Sequence, residues 1–291
     1  MRNQEEMITL LFKKAQADPA VRAACLNGSR VNPTSRQDLL QDFDVVYVVN
    51  DLEPFIRQRE WLQEFGDLLI MQTPDEMNGG SGRRHKFAFL MLFTDGIRID
   101  LTLLLKAGVT DYINEDSLTV VLLDKDALFP ALPPPSEQTH YVQTPDRQAF
   151  RDCCNEFWWV STYAAKGAWR SEVLYAMDHL AVMREMLLRM TTWYAGASHS
   201  FPINIGKSYK HLPLYVSGDI WKRLQDTFPE AAVAPIWEAV FHMSDLFLDI
   251  TLHTADLLEL EVSAEEAQNV YRYLQHLHQL PQNTSKWNLH L

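Results

Sequence analysis

Apolar positions set out the plan of this chain. Over residues 3–17 they fall at Met7, Ile8, Leu11 and Phe12 with charges between them, the spacing of an amphipathic helix. Asp18-Pro19 ends it, because the residue before a proline is pushed out of the helical region. "VRAACLNGS" then reads as a short strand entering a turn. Residues 43–49, "FDVVYVV", are β-branched and aromatic and predict a strand. Residues 55–65 return to helical spacing, and "GDLLIMQTP" predicts another short strand. In residues 86–105 two apolar runs flank Asp95-Gly96, a pair favoured in tight hairpin turns. Residues 111–124 hold a short helix and a last strand, "TVVLLD".

Five prolines in residues 129–145 cannot sit in a helix or a central strand, so the chain divides there. Beyond them the period becomes helical: 146–169, 171–196, 217–228 with Ser217 as N-cap, 232–257, and 264–280 with Ser263 and Glu266 spaced as a capping box. The expectation is an α+β protein. An N-terminal domain over 1–130, with a mixed sheet flanked by helices, is followed by a Pro-rich linker over 131–145. An all-α helical bundle occupies 146–291.

Composition narrows the function classes. The chain has 26 Lys+Arg against 38 Asp+Glu, a formal charge of −12, which disfavours nucleic acid as a partner and favours cations. Its three cysteines, Cys25, Cys153 and Cys154, form neither a C-x-x-C pattern nor an even set, so no disulfide framework or zinc site is expected. Cys153 and Cys154 read as helix packing. The N-terminus is charged where a signal peptide is apolar, and no apolar run approaches the length of a membrane span. The expectation is a cytoplasmic protein with no membrane contact and no obligate protein partner.

The chemistry concentrates in "NGSRVNPTSRQDLLQDFDVVYVV". Strand alternation puts Asp42, Asp44, Val46 and Val48 on one face, and in "IRIDLTL" it puts Arg98, Asp100 and Thr102 on one face. If the two strands are neighbours, Asp100 stands beside Asp42 and Asp44. Three crowded carboxylates repel one another unless a cation joins them, and oxygen-only ligands suit Mg²⁺. A D-x-D beside a strand is ordinarily solvated turn chemistry. Gly28-Ser29, with twelve residues between it and the D-x-D, changes that, because such a turn can offer N–H groups and a hydroxyl to a phosphate.

This ordered set resembles the nucleotidyltransferase superfamily of the DNA polymerase β type. "LNGSR…QDFDVVYVV", "LFTDGIRIDLTLL", "LLDKD" and "DCCNEFWWVSTYAAKG", with "LYAMDHL" and "IGKSYKHL", resemble the aminoglycoside 6-adenylyltransferases, the streptomycin adenylyltransferase family. The resemblance implies AMP transfer from ATP to an aminoglycoside hydroxyl, the 6-position of streptomycin, with release of pyrophosphate and resistance to the drug. It implies Mg²⁺, two ions, at Asp42, Asp44 and Asp100, with Asp100 able to take the acceptor proton. Gly28 and Ser29 match the phosphate turn, and Arg30 follows it. Two alternatives stay open: a different small-molecule or protein acceptor, and a nucleotide-binding regulatory protein without transfer.

The helical half offers further candidates. Lys207 and Lys210 either reach the triphosphate or are a solvated helix start, and Lys166 either joins them or answers a helix dipole. A polycationic acceptor calls for carboxylates, for which Asp178, Glu156 and Glu172 stand against ordinary salt bridges. His179 reads as a hydrogen-bonded or core histidine. Trp158, Trp159 and Trp169 read as core or interdomain packing, and any one of the aromatics could stack on adenine. "NGGSGRR", residues 78–84, lacks the features of a P-loop and reads as a mobile loop.

Overall fold

The computed structural model describes residues 2–78 and 85–284. The expected loop over 78–84 therefore lies, apart from Asn78, outside the described residues. The chain forms two compact units, Met1–Thr139 and His140–Leu291.

The first unit is built on six strands: β1 (Val21–Asn27), β2 (Phe43–Val49), β3 (Leu68–Gln72), β4 (Lys86–Phe93), β5 (Arg98–Leu105) and β6 (Thr119–Asp124). They lie in the order β3-β4-β5-β2-β1-β6. Only the β2–β5 pair is parallel, so the sheet is mixed. Helix α1 (Gln4–Ala17) covers one face. Asn3 and Glu6 close a capping box at its start, which ties two of the free N–H groups of the first turn. Met7, Leu11 and Ala15 of α1 pack on Phe43, Val45, Tyr47, Leu101 and Phe89. The one polar atom that Tyr47 brings to this core is satisfied, its hydroxyl donating to the Leu11 carbonyl at 2.8 Å.

The β4–β5 hairpin forms where the Asp95-Gly96 pair placed it. Gly96 sits at φ 84°, a left-handed position that costs glycine little, and Phe93 and Ile97 close the loop with a 2.8 Å hydrogen bond. The single helix expected over 55–65 is not present. Helix α2 (Glu53–Arg57) stops at an extended Gln58, and a 3₁₀ segment follows at Glu60–Phe65. Aromatic packing explains the break. Trp61 meets Phe55, Phe65 and Phe89 edge to face at 5.3, 5.9 and 5.8 Å, and its indole N–H donates to the Phe55 carbonyl at 3.2 Å.

The opposite face of the sheet is covered only in part. Helix α3 (Val109–Glu115) packs Val109 and Tyr112 on Ala23, Cys25, Val46, Val48 and Leu104. The strand ends that carry Asp44, Asp100 and Thr102 stay partly open. Part of the Pro-rich stretch is bound to this unit: Ser117 and Ser136 exchange hydrogen bonds, and Asn32 donates to Glu137 at 2.7 Å.

The second unit is helical: α4 (Arg147–Trp169), α5 (Val173–Ser198), α6 (Gly218–Gln225), α7 (Val233–Leu258) and α8 (Ala264–Gln279). Asp146, Ser217 and Ser263 accept N-cap hydrogen bonds at α4, α6 and α8. The expected capping box at α8 is half formed, because Glu266 instead accepts from Asn155 at 3.2 Å. Helix α6 is shorter than the 217–228 expected. Phe157 of α4 stacks on Phe247 of α7 with centroids 3.8 Å apart, inside a core shared by α4, α5 and α7.

Candidate active site

Parallel pairing of β2 with β5 sets Asp44 directly beside Asp100. Two otherwise mostly apolar strands thus present neighbouring carboxylates. Gly28 lies against them. It opens the 3₁₀ turn Gly28–Arg30 at φ 72°, and a Cβ added there would stand 2.4 Å from Asp44 Oδ2. Only glycine fits both the backbone angle and the contact. The turn is pinned from behind. Gly28 N–H donates to the Leu118 carbonyl at 3.1 Å, while buried Asn27 donates to Thr119 at 2.7 Å and accepts from Tyr112 at 2.6 Å. The Gly28 N–H is therefore not available to a phosphate, contrary to the simplest reading of a Gly-Ser turn. The Ser29 hydroxyl makes no hydrogen bond among the described residues.

Arg30 has a different placement from the phosphate contact expected of it. Its guanidinium donates to the Asp42 carbonyl at 2.9 Å and to the Gln41 carbonyl, and it lies 3.6 Å from the centre of the Phe43 ring. It clamps the loop that delivers Asp42 to the head of β2. Burial holds its pKa below the usual arginine value.

The electrostatics follow from crowding. Burial, then Asp100 and Asp42, push the Asp44 carboxyl up to about 6. Burial also raises Asp42, opposed by Arg98 and aided by Asp100. Arg98 partly answers this charge: it donates two 2.8 Å hydrogen bonds to Asp100, and its Nε lies 3.5 Å from Asp42. Strand alternation puts Arg98 and Asp100 on one face, whereas the approach of Arg98 to Asp42 joins residues far apart in the sequence.

Among the described residues no group of three or more His, Cys, Asp and Glu side chains is arranged to hold a metal ion. Both oxygens of Asp100 accept hydrogen bonds from Arg98. The donor chemistry nevertheless fits Mg²⁺. The candidate ligands are oxygens, and Asp42 and Asp44 carry pKa values raised by burial first and by neighbouring carboxylates after it. A cavity of about 460 Å³ opens beside them, bounded by Gly28, Asp44, Asp100, Thr102, Lys86 and Asp116. Lys86, on the open face of β4, pairs with Glu115 at its rim.

In the second unit Lys207 and Lys210 are exposed on a segment around a 3₁₀ turn, where Ser208 and Tyr209 hold left-handed φ angles of 54° and 62°. Glu156 of α4 and Asp178 of α5 are exposed. Glu172 stands at the start of α5, 4.0 Å from Arg170. Lys166, in the last turn of α4, lies 5.5 Å from the centre of the Tyr163 ring. His179 is hydrogen-bonded to the Tyr175 carbonyl at 2.7 Å. The Trp158-Trp159 pair does not act together: Trp158 is core and Trp159 is 59% exposed.

The family model described as streptomycin adenylyltransferase matches residues 1–277. The chain belongs to that family. It is a nucleotidyltransferase. An aminoglycoside 6-adenylyltransferase of Campylobacter jejuni is 36% identical over 262 residues, 90% of this chain and 91% of the relative. One from Bacillus subtilis is 36% identical, covering 85% of this chain and 88% of its own. One from Staphylococcus aureus is also 36% identical, over 78% and 82%. A crystal structure of an aminoglycoside 6-adenyltransferase from Bacillus subtilis aligns at 29% identity with 96% of this chain and all of that one, with a TM-score of 0.49. No helix among the described residues is long and apolar enough to cross a membrane.

Proposed function

We propose that this protein transfers AMP from ATP to a hydroxyl of an aminoglycoside, the 6-hydroxyl of streptomycin, and so inactivates the drug. The observation that carries the reading is the packing of Gly28 on Asp44 with Asp100 alongside, a tight glycine turn against paired carboxylates. The relatives' shared activity supports the acceptor class.

The protein's groups divide the work. Asp42, Asp44 and Asp100 would hold Mg²⁺, two ions, once Arg98 gives up its hold on Asp100. When bound, the metal would supply positive charge for the phosphate oxygens and the leaving pyrophosphate. The Ser29 hydroxyl donates to a phosphate oxygen. The acceptor oxygen forms a bond to the α-phosphorus as the bond from that phosphorus to the bridging oxygen breaks. Asp100 takes the acceptor's proton, and pyrophosphate carries away the electron pair of the broken bond. Arg98, freed from Asp100, would pair with a phosphate oxygen in its place. Lys207 and Lys210 serve the triphosphate, and Glu156 and Asp178 serve the cationic acceptor.

The test is pyrophosphate release by purified protein with ATP, Mg²⁺ and a panel of aminoglycosides. Streptomycin-dependent release that Asp42→Asn abolishes is the expected result. Absence of release with every aminoglycoside refutes the proposal.

A further inference from the structure

The α4–α5 hairpin carries a row of rings on its surface that the core does not need. Trp159 is 59% exposed and Tyr175 43%, while neighbouring Trp158 is 4% exposed. The row is ordered by its own contacts. The Trp159 indole N–H donates to the Tyr163 hydroxyl at 2.9 Å, with ring centres 6.0 Å apart. Tyr163 meets His179 edge on at 5.4 Å, and His179 lies against Tyr175 at 4.2 Å. Tyr175 is seated where Gly167 has no side chain: a Cβ there would stand 2.8 Å from Tyr175 Cδ1.

His179 and Tyr163 each keep a free polar function. The Tyr175 carbonyl can only accept, so His179 Nδ1 donates to it and Nε2 is left as an acceptor. Tyr163 accepts from Trp159 and retains its own O–H to donate. Lys166 Nζ, 5.5 Å from the Tyr163 centre, shows that this ring face already takes a cation.

Charge selects the occupant. Glu156 stands three residues before Trp159 on α4, and Asp178 three residues after Tyr175 on α5, and both are exposed. That spacing places each carboxylate beside its ring on the same helix face. We propose that the row is the acceptor platform, built for a cationic polyhydroxylated ring. Trp159 and Tyr175 stack on its apolar face and its cationic groups. Glu156 and Asp178 pair with ammonium or guanidinium groups. His179 Nε2 and the Tyr163 hydroxyl bond its hydroxyls. An adenine would suit the rings, but its phosphates would face two carboxylates. The inference rests on the aminoglycoside reading above and names its contacts.

The test uses streptomycin as the probe and the full chain. Calorimetric titration compares the unaltered protein with Trp159→Ala and Trp159→Phe. The alanine variant is expected to bind streptomycin about tenfold more weakly, with most affinity recovered by phenylalanine. In steady-state pyrophosphate release, the KM for streptomycin rises by a similar factor and the KM for ATP stays put. Unchanged streptomycin affinity in Trp159→Ala overturns the proposal. A raised KM for ATP with an unchanged KM for streptomycin assigns the rings to the nucleotide and also overturns it. Trp159-dependent streptomycin binding without any pyrophosphate release upholds the platform while refuting the transfer reaction.

Discussion

Arg98 binds both oxygens of Asp100, each at 2.8 Å, and reaches to 3.5 Å from Asp42. One guanidinium thus serves as counterion to two of three crowded carboxylates. Removing it leaves the repulsion uncompensated. Arg98→Ala is expected to lower the stability of the metal-free protein by about 1 kcal/mol at neutral pH, since the pair is partly exposed. Arg98→Lys, which cannot pair through two parallel bonds, falls between. Melting temperatures with and without Mg²⁺ check this: the ion should recover more stability in Arg98→Ala than in the unaltered protein. Equal melting temperatures without Mg²⁺ would remove the counterion role.

Gly28 is tested against another glycine of the same chain. A Cβ at Gly28 meets Asp44 Oδ2 at 2.4 Å and forces a left-handed φ of 72° on a residue that resists it, whereas a Cβ at Gly218 meets nothing within 4 Å. Gly28→Ala should cost about 1–2 kcal/mol in backbone strain and displace the Asp44 carboxylate. Pyrophosphate release should fall about a hundredfold or more. Gly218→Ala should leave both stability and turnover near their original values. Normal turnover in Gly28→Ala would dissociate the turn from the chemistry.

The pH dependence of the metal-free protein has a definite sign. Burial and then Asp100 and Asp42 push the Asp44 carboxyl up to about 6 in the folded chain, against 3.8 for an unperturbed aspartate. Between those values the folded state holds a proton that the unfolded state has released. Stability therefore falls as pH rises from about 4 to about 6, by at most about 3 kcal/mol, and stays low above that. Asp44→Asn should be more stable than the unaltered protein at pH 8 without Mg²⁺, and the difference should vanish near pH 4. Denaturant melts at the two pH values check it. A carboxylate that gains stability with rising pH would show the opposite slope.

The pattern that was legible in the sequence was local. Alternation put Asp42 with Asp44, and Asp100 with Arg98 and Thr102, and Asp95-Gly96 marked the hairpin, because each depends only on neighbours in the chain. What stayed hidden depended on partners far apart in sequence. The helix expected over 55–65 broke because Trp61 packs on Phe89. Arg30 turned to the carbonyls of Gln41 and Asp42, and Gly28 gave its N–H to Leu118. Trp158 and Trp159 looked alike as adjacent letters. Helix geometry sends neighbours about 100° apart, so one ring enters the core and the other leaves it.

Asp100 has two separable duties in the proposed reaction, and one substitution divides them. Asp100→Asn keeps the shape and one acceptor oxygen, but it cannot take the hydroxyl proton and loses the charge that pairs with Arg98. If proton removal is its main duty, kcat should fall about 10²–10⁴-fold, while the KM for ATP changes little. If holding Mg²⁺ is its main duty, nucleotide affinity should collapse, because Asp42 and Asp44 alone would support the phosphates poorly. A pH–rate profile separates the cases further. Loss of a base removes the acidic limb of kcat, whereas loss of a ligand leaves that limb and raises the Mg²⁺ concentration needed for half activity. The expected outcome is the first, with kcat lost and ATP binding kept. An unchanged kcat with collapsed nucleotide affinity would make Asp100 a ligand and move the search for the base elsewhere on the open face of the sheet.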